Sequence, residues 1–301
     1  KLRAQLPEET LREAVVDLCG HPSLPSSLDP AVAEELPESC GVYLFWGENG
    51  APLYVGKSKN IRERVFAHFA ADVHSAKELG LSQQIRSITW EETPGEVSAL
   101  LREAQLVKAL KPSFNRQLRL QKGFASLALG SADDDPQVDV VTSQDRSFAA
   151  AEDLHGIFES VTEAKRVLRH LADQHELCKG LLGLEKLRVG AGCFGRQLRK
   201  CRGACQGQES LKDHHLRLSL ALIKLRLAAW PFQGPAVLRE SEEAVLVIDQ
   251  WAYLGIARSE EELVSLLESR GDRQFDRDTY RILQKVAGRL QPIGVGAAGE
   301  D

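Results

Sequence analysis

No methionine occurs anywhere in the 301 residues, position 1 included, so the chain is expected to be a segment of a longer polypeptide. Excess positive charge is also absent: 38 Lys and Arg stand against 43 Asp and Glu, a formal net charge of -5. That excludes a polycation that binds nucleic acid over its whole surface, and any contact with phosphates must be a local patch. Long apolar runs are missing. The most apolar stretch, Leu216 to Trp230, is interrupted by Arg217, Lys224 and Arg226 and is too short to span a bilayer. The N-terminus opens on Lys1-Leu2-Arg3 with no apolar core, which argues against secretion and for a cytoplasmic protein. Only six cysteines are present, and without a signal segment they point to metal or redox use in a reducing compartment, not to a disulfide scaffold. Wholesale disorder is excluded as well, because 43% hydrophobic and 27% charged residues is the balance of a globular protein, long enough for about two domains.

The chain reads in segments. One helical patch, Glu8 to Leu18, precedes a Pro/Ser stretch, His21 to Pro30, that reads as a tether. An α/β unit follows from about Leu36 to Leu120. Asp133, Asp134 and Asp135 between Gly130 and Pro136 mark a loop. Helical periodicity returns over Thr162 to Leu177 and Leu211 to Trp230, short strands are expected at Val237–Leu238, Ala244–Ile248 and Trp251–Ile256, and helices over Ser259–Glu268 and Asp276–Leu290. Ser259 and Glu262 have capping-box spacing.

The most informative stretch is Gly41-Val42-Tyr43-Leu44-Phe45-Trp46 and Pro52-Leu53-Tyr54-Val55-Gly56, two β-rich runs flanking Glu48-Asn49-Gly50. Asn-Gly accepts positive φ and is a strong hairpin signal. Two of only four tyrosines lie here. Lys57, Lys59, Arg62 and Arg64 follow, with Ser58 or Asn60 able to cap a helix starting near Ile61, on which Arg64 and His68 share a face. Phenol, ammonium, guanidinium and imidazole in one neighbourhood suit a phosphodiester, because cations offset developing negative charge.

This stretch resembles the GIY-YIG endonucleases, with Gly41-Val42-Tyr43 and Tyr54-Val55-Gly56 as the paired signatures and ten residues between the tyrosines. The resemblance implies an α+β fold: a GIY-YIG domain with a small antiparallel sheet flanked by helices, a helical cysteine-cluster segment and a small α/β C-terminal domain. It implies Glu103 as the ligand of Mg2+ or Mn2+, Tyr43 or Tyr54 as general base with its pKa lowered by Lys57, Arg64 at the phosphate, and Asn115 as a brace. His68 stands where UvrC members often carry tyrosine, and its role stays open between base partner and phosphate contact. From the residues alone Glu103 is unusual: its helical neighbours Ala99, Leu100, Leu106 and Val107 are all apolar, a costly setting for a carboxylate unless it is paired or holds a cation.

Cys178, Cys193, Cys201 and Cys205 follow the spacing Cys-x14-Cys-x7-Cys-x3-Cys amid several glycines. Four thiols in so short a window point to metal ligation, and spacing alone does not separate zinc from an iron–sulfur cluster. The segment Cys193 to Cys205 is similar to the cysteine region of the UvrC/Cho excinucleases, which implies a [4Fe-4S] cluster, with zinc as the alternative. Residues 186–202 hold six Lys/Arg and residues 105–124 hold five, both without acids. They suggest a basic groove for DNA phosphates, with Lys59, Arg62, Arg116, Arg119, Arg196, Arg199 and Lys200 as contacts. Acidic residues gather elsewhere, Glu240–Glu243 among them.

The resemblance divides the chain into an extension or linker (1–35), a GIY-YIG domain (36–120), a strand, helix and four-cysteine region (121–210) and a Cho-like C-terminal domain (211–301). It implies incision 3′ to a lesion in damaged double-stranded DNA during nucleotide excision repair, with UvrB and UvrA finding the lesion and no membrane involved. It also admits the nuclease half of an exonuclease–endonuclease fusion. Competing readings are an inert DNA-binding repair scaffold stabilised by a metal cluster and a zinc-ribbon-like structural protein. The closing Gly294-Val295-Gly296-Ala297-Ala298-Gly299 fits GxGxxG by letter but lacks the strand and helix that a nucleotide loop needs.

Overall fold

A computed structural model describes residues 24–69, 76–115, 123–131, 137–149, 152–187, 192–269 and 275–293. The expected helix at Glu8–Leu18, the Asp133–Asp135 loop, Arg116, Arg119 and the glycine-rich tail lie outside the described residues. The chain divides into two compact units. The first comprises residues 1–120, 238–246 and 255–265, the second 121–237, 247–254 and 266–301. Among the described residues no helix is long and apolar enough to cross a membrane.

In the first unit a one-turn helix α1 (Val32–Glu35) leads into strands β1 (Gly41–Trp46) and β2 (Pro52–Ser58). The turn between them places Asn49 at φ 55° and Gly50 at φ 70°, as the Asn-Gly pair requires. Helices α2 (Ile61–Ala67) and α3 (Ala76–Gln84), strand β3 (Ser87–Glu92) and helix α4 (Glu96–Leu110) follow. The sheet is antiparallel in the order β2-β1-β3. Alternation along β1 sends Tyr43 and Phe45 into a core with Leu53, Ile61, Val65, Leu81, Ile85 and Ile88 and sends Leu44 into another with Val55 and Val107 of α4. The expected tether is partly ordered into the first of these cores: Leu28, apolar among Pro and Ser, is 5% exposed there.

In the second unit, β4 (Ala125–Leu129), β5 (Val138–Thr142) and β6 (Leu154–Phe158) form an antiparallel sheet ordered β5-β4-β6. Helix α5 (Val161–Gln174) covers it, burying Ala164, Leu168 and Ala172. A single turn, α6 (Phe194–Gln197), sits in the cysteine loop, and α7 spans Leu211–Leu222. The helix expected to run to Trp230 ends at Leu222 and tightens into a 3-10 turn at Ile223–Leu225. The rest of that stretch joins an aromatic cluster: the ring centroid of Trp230 lies 5.3 Å from Phe232 and 5.1 Å from Trp251, which lies 5.2 Å from Tyr280. These rings pack edge-to-face against one another. The remaining strands, β7 (Ala236–Arg239), β8 (Val245–Asp249), β9 (Ala252–Ala257) and β10 (Gln291–Pro292), form a sheet ordered β10-β7-β8-β9, with helices α8 (Glu260–Glu268) and α9 (Arg277–Lys285); of these residues, 238–246 and 255–265 count with the first unit. The family of folds is α+β, as expected.

Candidate active site

Register explains the two signature motifs. Tyr43 lies opposite Gly56, and Phe45 opposite Tyr54; residues directly opposite in an antiparallel pair share a face. All four therefore face one side of the ribbon. A Cβ at Gly56 would fall on the Tyr43 hydroxyl, so the glycine is what lets the phenol lie across β2 towards Tyr54. At Gly41 a Cβ would fall on the Glu91 carbonyl of β3, so this glycine is needed for close approach of the third strand.

Helix α2 brings in the other groups. Asn60 is its N-cap, its side chain accepting from the Glu63 N–H at 3.0 Å. From its C-terminal end His68 packs edge-on against Tyr54 and Phe45, with ring centroids 5.4 and 5.2 Å away. The Tyr43 hydroxyl and His68 Nε2 are 2.7 Å apart. Burial, with help from the Arg64 charge, pushes His68 down to about 4, so at neutral pH the imidazole is uncharged. Nε2 then accepts the hydrogen bond from the phenol, which leaves the ring proton on Nδ1.

Burial also pushes both phenols up. For Tyr43 the Tyr54 hydroxyl adds to the rise while Arg64 opposes it. For Tyr54 the Glu103 charge adds to the rise, while the hydrogen bond with Tyr43 and the Arg64 charge oppose it. Tyr43 is 1% exposed and Tyr54 half-buried, so Tyr54 is the phenol that solvent reaches. Glu103, on α4, is half-buried, and burial raises its pKa while Lys57 draws it down. The Lys57 charge draws on the Glu103 carboxylate, and the Arg64 charge reaches both phenols.

Asn115 lies behind β2, accepting from the Val55 N–H at 2.9 Å and donating Nδ2 to the Val55 carbonyl at 2.8 Å. With Phe114 N–H donating to the Leu53 carbonyl at 2.8 Å, the segment satisfies backbone groups along the edge strand that carries Tyr54. Lys59 pairs with Glu96 at 3.0 Å on the surface. Arg62 donates to the Ala33 carbonyl and stacks 5.4 Å over Phe66, which ties α2 to α1.

In the second unit the four cysteines converge. The sulfurs of Cys178, Cys193 and Cys205 lie within 4.8 Å of one another, and Cys201 Sγ is 3.4 Å from Cys193 Sγ. All four are free thiols. Burial pushes Cys178 up to about 12. At Cys193 burial also raises the value, but hydrogen bonds from Cys201 and from the Arg196 N–H outweigh it and hold the thiol below its usual value. Arg199 and Lys200 are exposed on this loop and Arg196 is half-buried.

Two residues near these sites escaped the sequence reading. Phe45 is the aromatic wall between Tyr54 and His68, and its two-residue offset from Tyr43 is a strand-period signal that pointed to it. His214 Nε2 accepts the Cys178 N–H at 3.0 Å; nothing in the sequence linked α7 to the cysteine loop.

The depressed His68 value has a measurable consequence. An unfolded imidazole takes up its proton near pH 6.5, while the folded one stays neutral down to about 4. The unfolded state therefore binds more protons in that window, and stability falls as pH falls through it. Urea unfolding of His68→Phe between pH 4 and 7 is expected to show a shallower decline than the parent chain. Identical slopes would place His68 in solvent.

Comparison with known proteins agrees with these elements. Three family models match: the UvrC-like GIY-YIG domain over residues 39–116, the UvrC/Cho excinuclease middle domain over 124–224 and the excinuclease Cho C-terminal domain over 235–295. Excinuclease cho of Shigella flexneri and of Escherichia coli K12 are each 41% identical over 255 residues, covering 83% of this chain and 83% of theirs. UvrABC system protein C of Porphyromonas gingivalis W83 is 31% identical over 188 residues, 61% of this chain and 31% of that one. Among solved structures, the N-terminal GIY-YIG endonuclease domain of Thermotoga maritima UvrC, bound to its catalytic divalent cation magnesium, is 24% identical, covers 29% of this chain and 99% of that one, and has a TM-score of 0.26. Matched along most of its length and two-fifths identical to its relatives, the chain belongs to the Cho excinuclease family, as a GIY-YIG endonuclease of DNA excision repair.

Proposed function

We propose that the chain hydrolyses one phosphodiester of damaged double-stranded DNA with a divalent metal at Glu103, on the 3′ side of the lesion, at sites that UvrB and UvrA have located. The observation that carries the reading is the Tyr43–His68 hydrogen bond beside Tyr54, whose phenol feels the Glu103 charge. A half-buried carboxylate raised by burial, with Lys57 as its offsetting charge, suits a hard cation with oxygen ligands. Bound there, Mg2+ or Mn2+ would supply charge stabilisation at the phosphate and the leaving oxygen.

The chain's own groups move the proton. Tyr54, the accessible phenol, takes a proton from the attacking water as it gives its own to solvent, while Tyr43, donating to the neutral His68 Nε2, holds the pair of phenols in place. The oxygen–phosphorus bond to water forms, the bond to the deoxyribose oxygen breaks, and that oxygen is protonated from solvent. A relay of this kind needs no standing phenolate, which fits phenols held high by burial. Arg64 faces the developing phosphate charge. Arg196, Arg199 and Lys200 on the cysteine loop, together with Lys59, Arg62, Arg116 and Arg119, are the basic residues assigned to DNA phosphates. Arg62 keeps its tie to Ala33 in this assignment.

The test is nicking of a lesion-bearing duplex loaded with UvrB by UvrA, with and without Mg2+. One nick 3′ to the lesion, lost in EDTA, is expected. Equal nicking in EDTA, or none under any divalent ion, would overturn the proposal.

The four cysteines fit a thiolate-bound metal, and we assign them a [4Fe-4S] cluster, with zinc as the alternative occupant. Cys193 contacts Cys201 and Cys205 and is 0% exposed. Cys193→Ser is therefore expected to lose nearly all bound metal and to unfold at lower temperature. Elemental analysis of anaerobically purified protein, with acid-labile sulfide, separates iron–sulfur from zinc.

A further inference from the structure

Helix α4 carries Glu103, and its N-terminus is unusual. The N-cap position is Gly95, in extended backbone at φ -173° and ψ -169°, which offers no side chain to the N–H groups of the first turn. Those groups need acceptors wherever they are buried. One half of a capping box is local: the Gly95 N–H donates to Ser98 Oγ at 3.0 Å, and Ser98 Oγ–H donates to the Gly95 carbonyl at 2.8 Å. The other half comes from far along the chain. Val97 N–H donates to Glu240 Oε1 at 2.7 Å and Ser98 N–H donates to Glu240 Oε2 at 2.8 Å. These are the second and third positions of the helix, the ones an N-cap side chain serves. Val97 and Ser98 are 5% and 1% exposed, so water is a poor substitute.

A second observation is independent of the hydrogen bonds. A Cβ at Gly95 would stand 2.7 Å from Glu240 Cδ and Oε1. The glycine and the carboxylate are complementary, because any side chain able to cap from position 95 would take the space that Glu240 fills. Glu240 directly follows β7, in the segment 238–246 that belongs to the same compact unit as α4.

We propose that Glu240 is a positioning residue for the nuclease site, capping α4 across the sequence and thereby fixing where Glu103 stands. The inference rests on the metal-binding role given to Glu103 above. Glu103 follows Glu96, the first residue of the helix, by about two turns, so fraying of the first turn shifts the carboxylate against Tyr54 and Lys57. The negative charge also complements the helix dipole at that end. Misplacement of a reacting group by about an ångström costs large factors in rate even when the group itself is intact.

The test uses the full chain and four variants: Glu240→Ala, Glu240→Gln, Gly95→Asp, and Glu240→Ala combined with Gly95→Asp. The readouts are kcat and KM for nicking and hydrogen exchange at the Val97 and Ser98 amides. Glu240→Ala is expected to lower kcat roughly tenfold with KM for DNA unchanged, the scale of a lost cap, and to expose both amides to exchange. Glu240→Gln keeps an oxygen acceptor and is expected to fall between this variant and the parent. Gly95→Asp alone is expected to be impaired, because its Cβ displaces Glu240. The double variant is expected to recover amide protection and most of kcat, because the aspartate introduced at position 95 fits the vacated room and accepts the same N–H groups. A double variant as slow as Glu240→Ala would overturn the proposal, as would full kcat in Glu240→Ala despite unprotected amides. If Glu103→Ala nicks like the parent chain, the reading of Glu103 fails, whereas the exchange pattern still reports whether the cap exists.

Discussion

Glu103→Gln is expected to reduce nicking by at least about a hundredfold, the scale on which loss of an electrostatic group at a reacting centre is felt, while leaving the fold at least as stable. The two effects have one cause. Burial raises the Glu103 pKa, so the folded state holds the proton more tightly than the unfolded chain does. Stability from this group is present below the ordinary glutamate value of 4.5 and is lost as pH rises through the folded value. At neutral pH the ionised carboxylate therefore costs stability, a cost that glutamine does not carry. Urea denaturation in EDTA at pH 7, set beside nicking in Mg2+, checks both signs. A variant that is less stable and still cuts would contradict both the burial argument and the assigned role.

Gly56→Ala removes no chemical group and is expected to be nearly as damaging. The new Cβ lands on the Tyr43 hydroxyl and 2.8 Å from Tyr54 Cε1, so both phenols must move away from His68 or the ribbon must open. Overpacking of this kind costs about 1–3 kcal/mol of stability, and displacement of the phenols costs roughly a hundredfold in kcat. Gly50→Ala is the control. Its φ of 70° strains a side chain but no atom lies within 4 Å, so it should cost about 1 kcal/mol of stability with kcat intact. Equal kcat in the two variants would mean that the Tyr43–Gly56 pairing does not position the phenols.

The contrast between these positions shows what was legible from residue order. The hairpin was, because Asn49-Gly50 punctuates two β-rich runs and strand period then sets which side chains share a face. The capping of α2 was, through Asn60, and the oddity of Glu103 was, through its apolar neighbours at helical spacing. These signals are local. The pull of Lys57 on Glu103 was not legible, since it arises only once α4 packs against β2. Nor was the end of α7: Leu225 and Leu227 continue an apolar pattern, yet the chain must turn there to bring Leu227 N–H to the Leu154 carbonyl at 2.9 Å. Glu240 was read only as one of a cluster of acidic residues, because no sequence pattern marks an acceptor borrowed by a helix so distant along the chain.

That distance has a consequence for how the protein is made. Ser98 and Glu240 are 142 residues apart, and ribosomes add roughly 5–20 residues per second. For about 7–30 seconds of synthesis, then, the start of α4 has been made while its carboxylate has yet to be translated. A nascent chain completes its cutting centre late, after the β1–β3 sheet and the cysteine loop have had time to form, so truncated products of interrupted translation would emerge with a blunted capacity to break DNA.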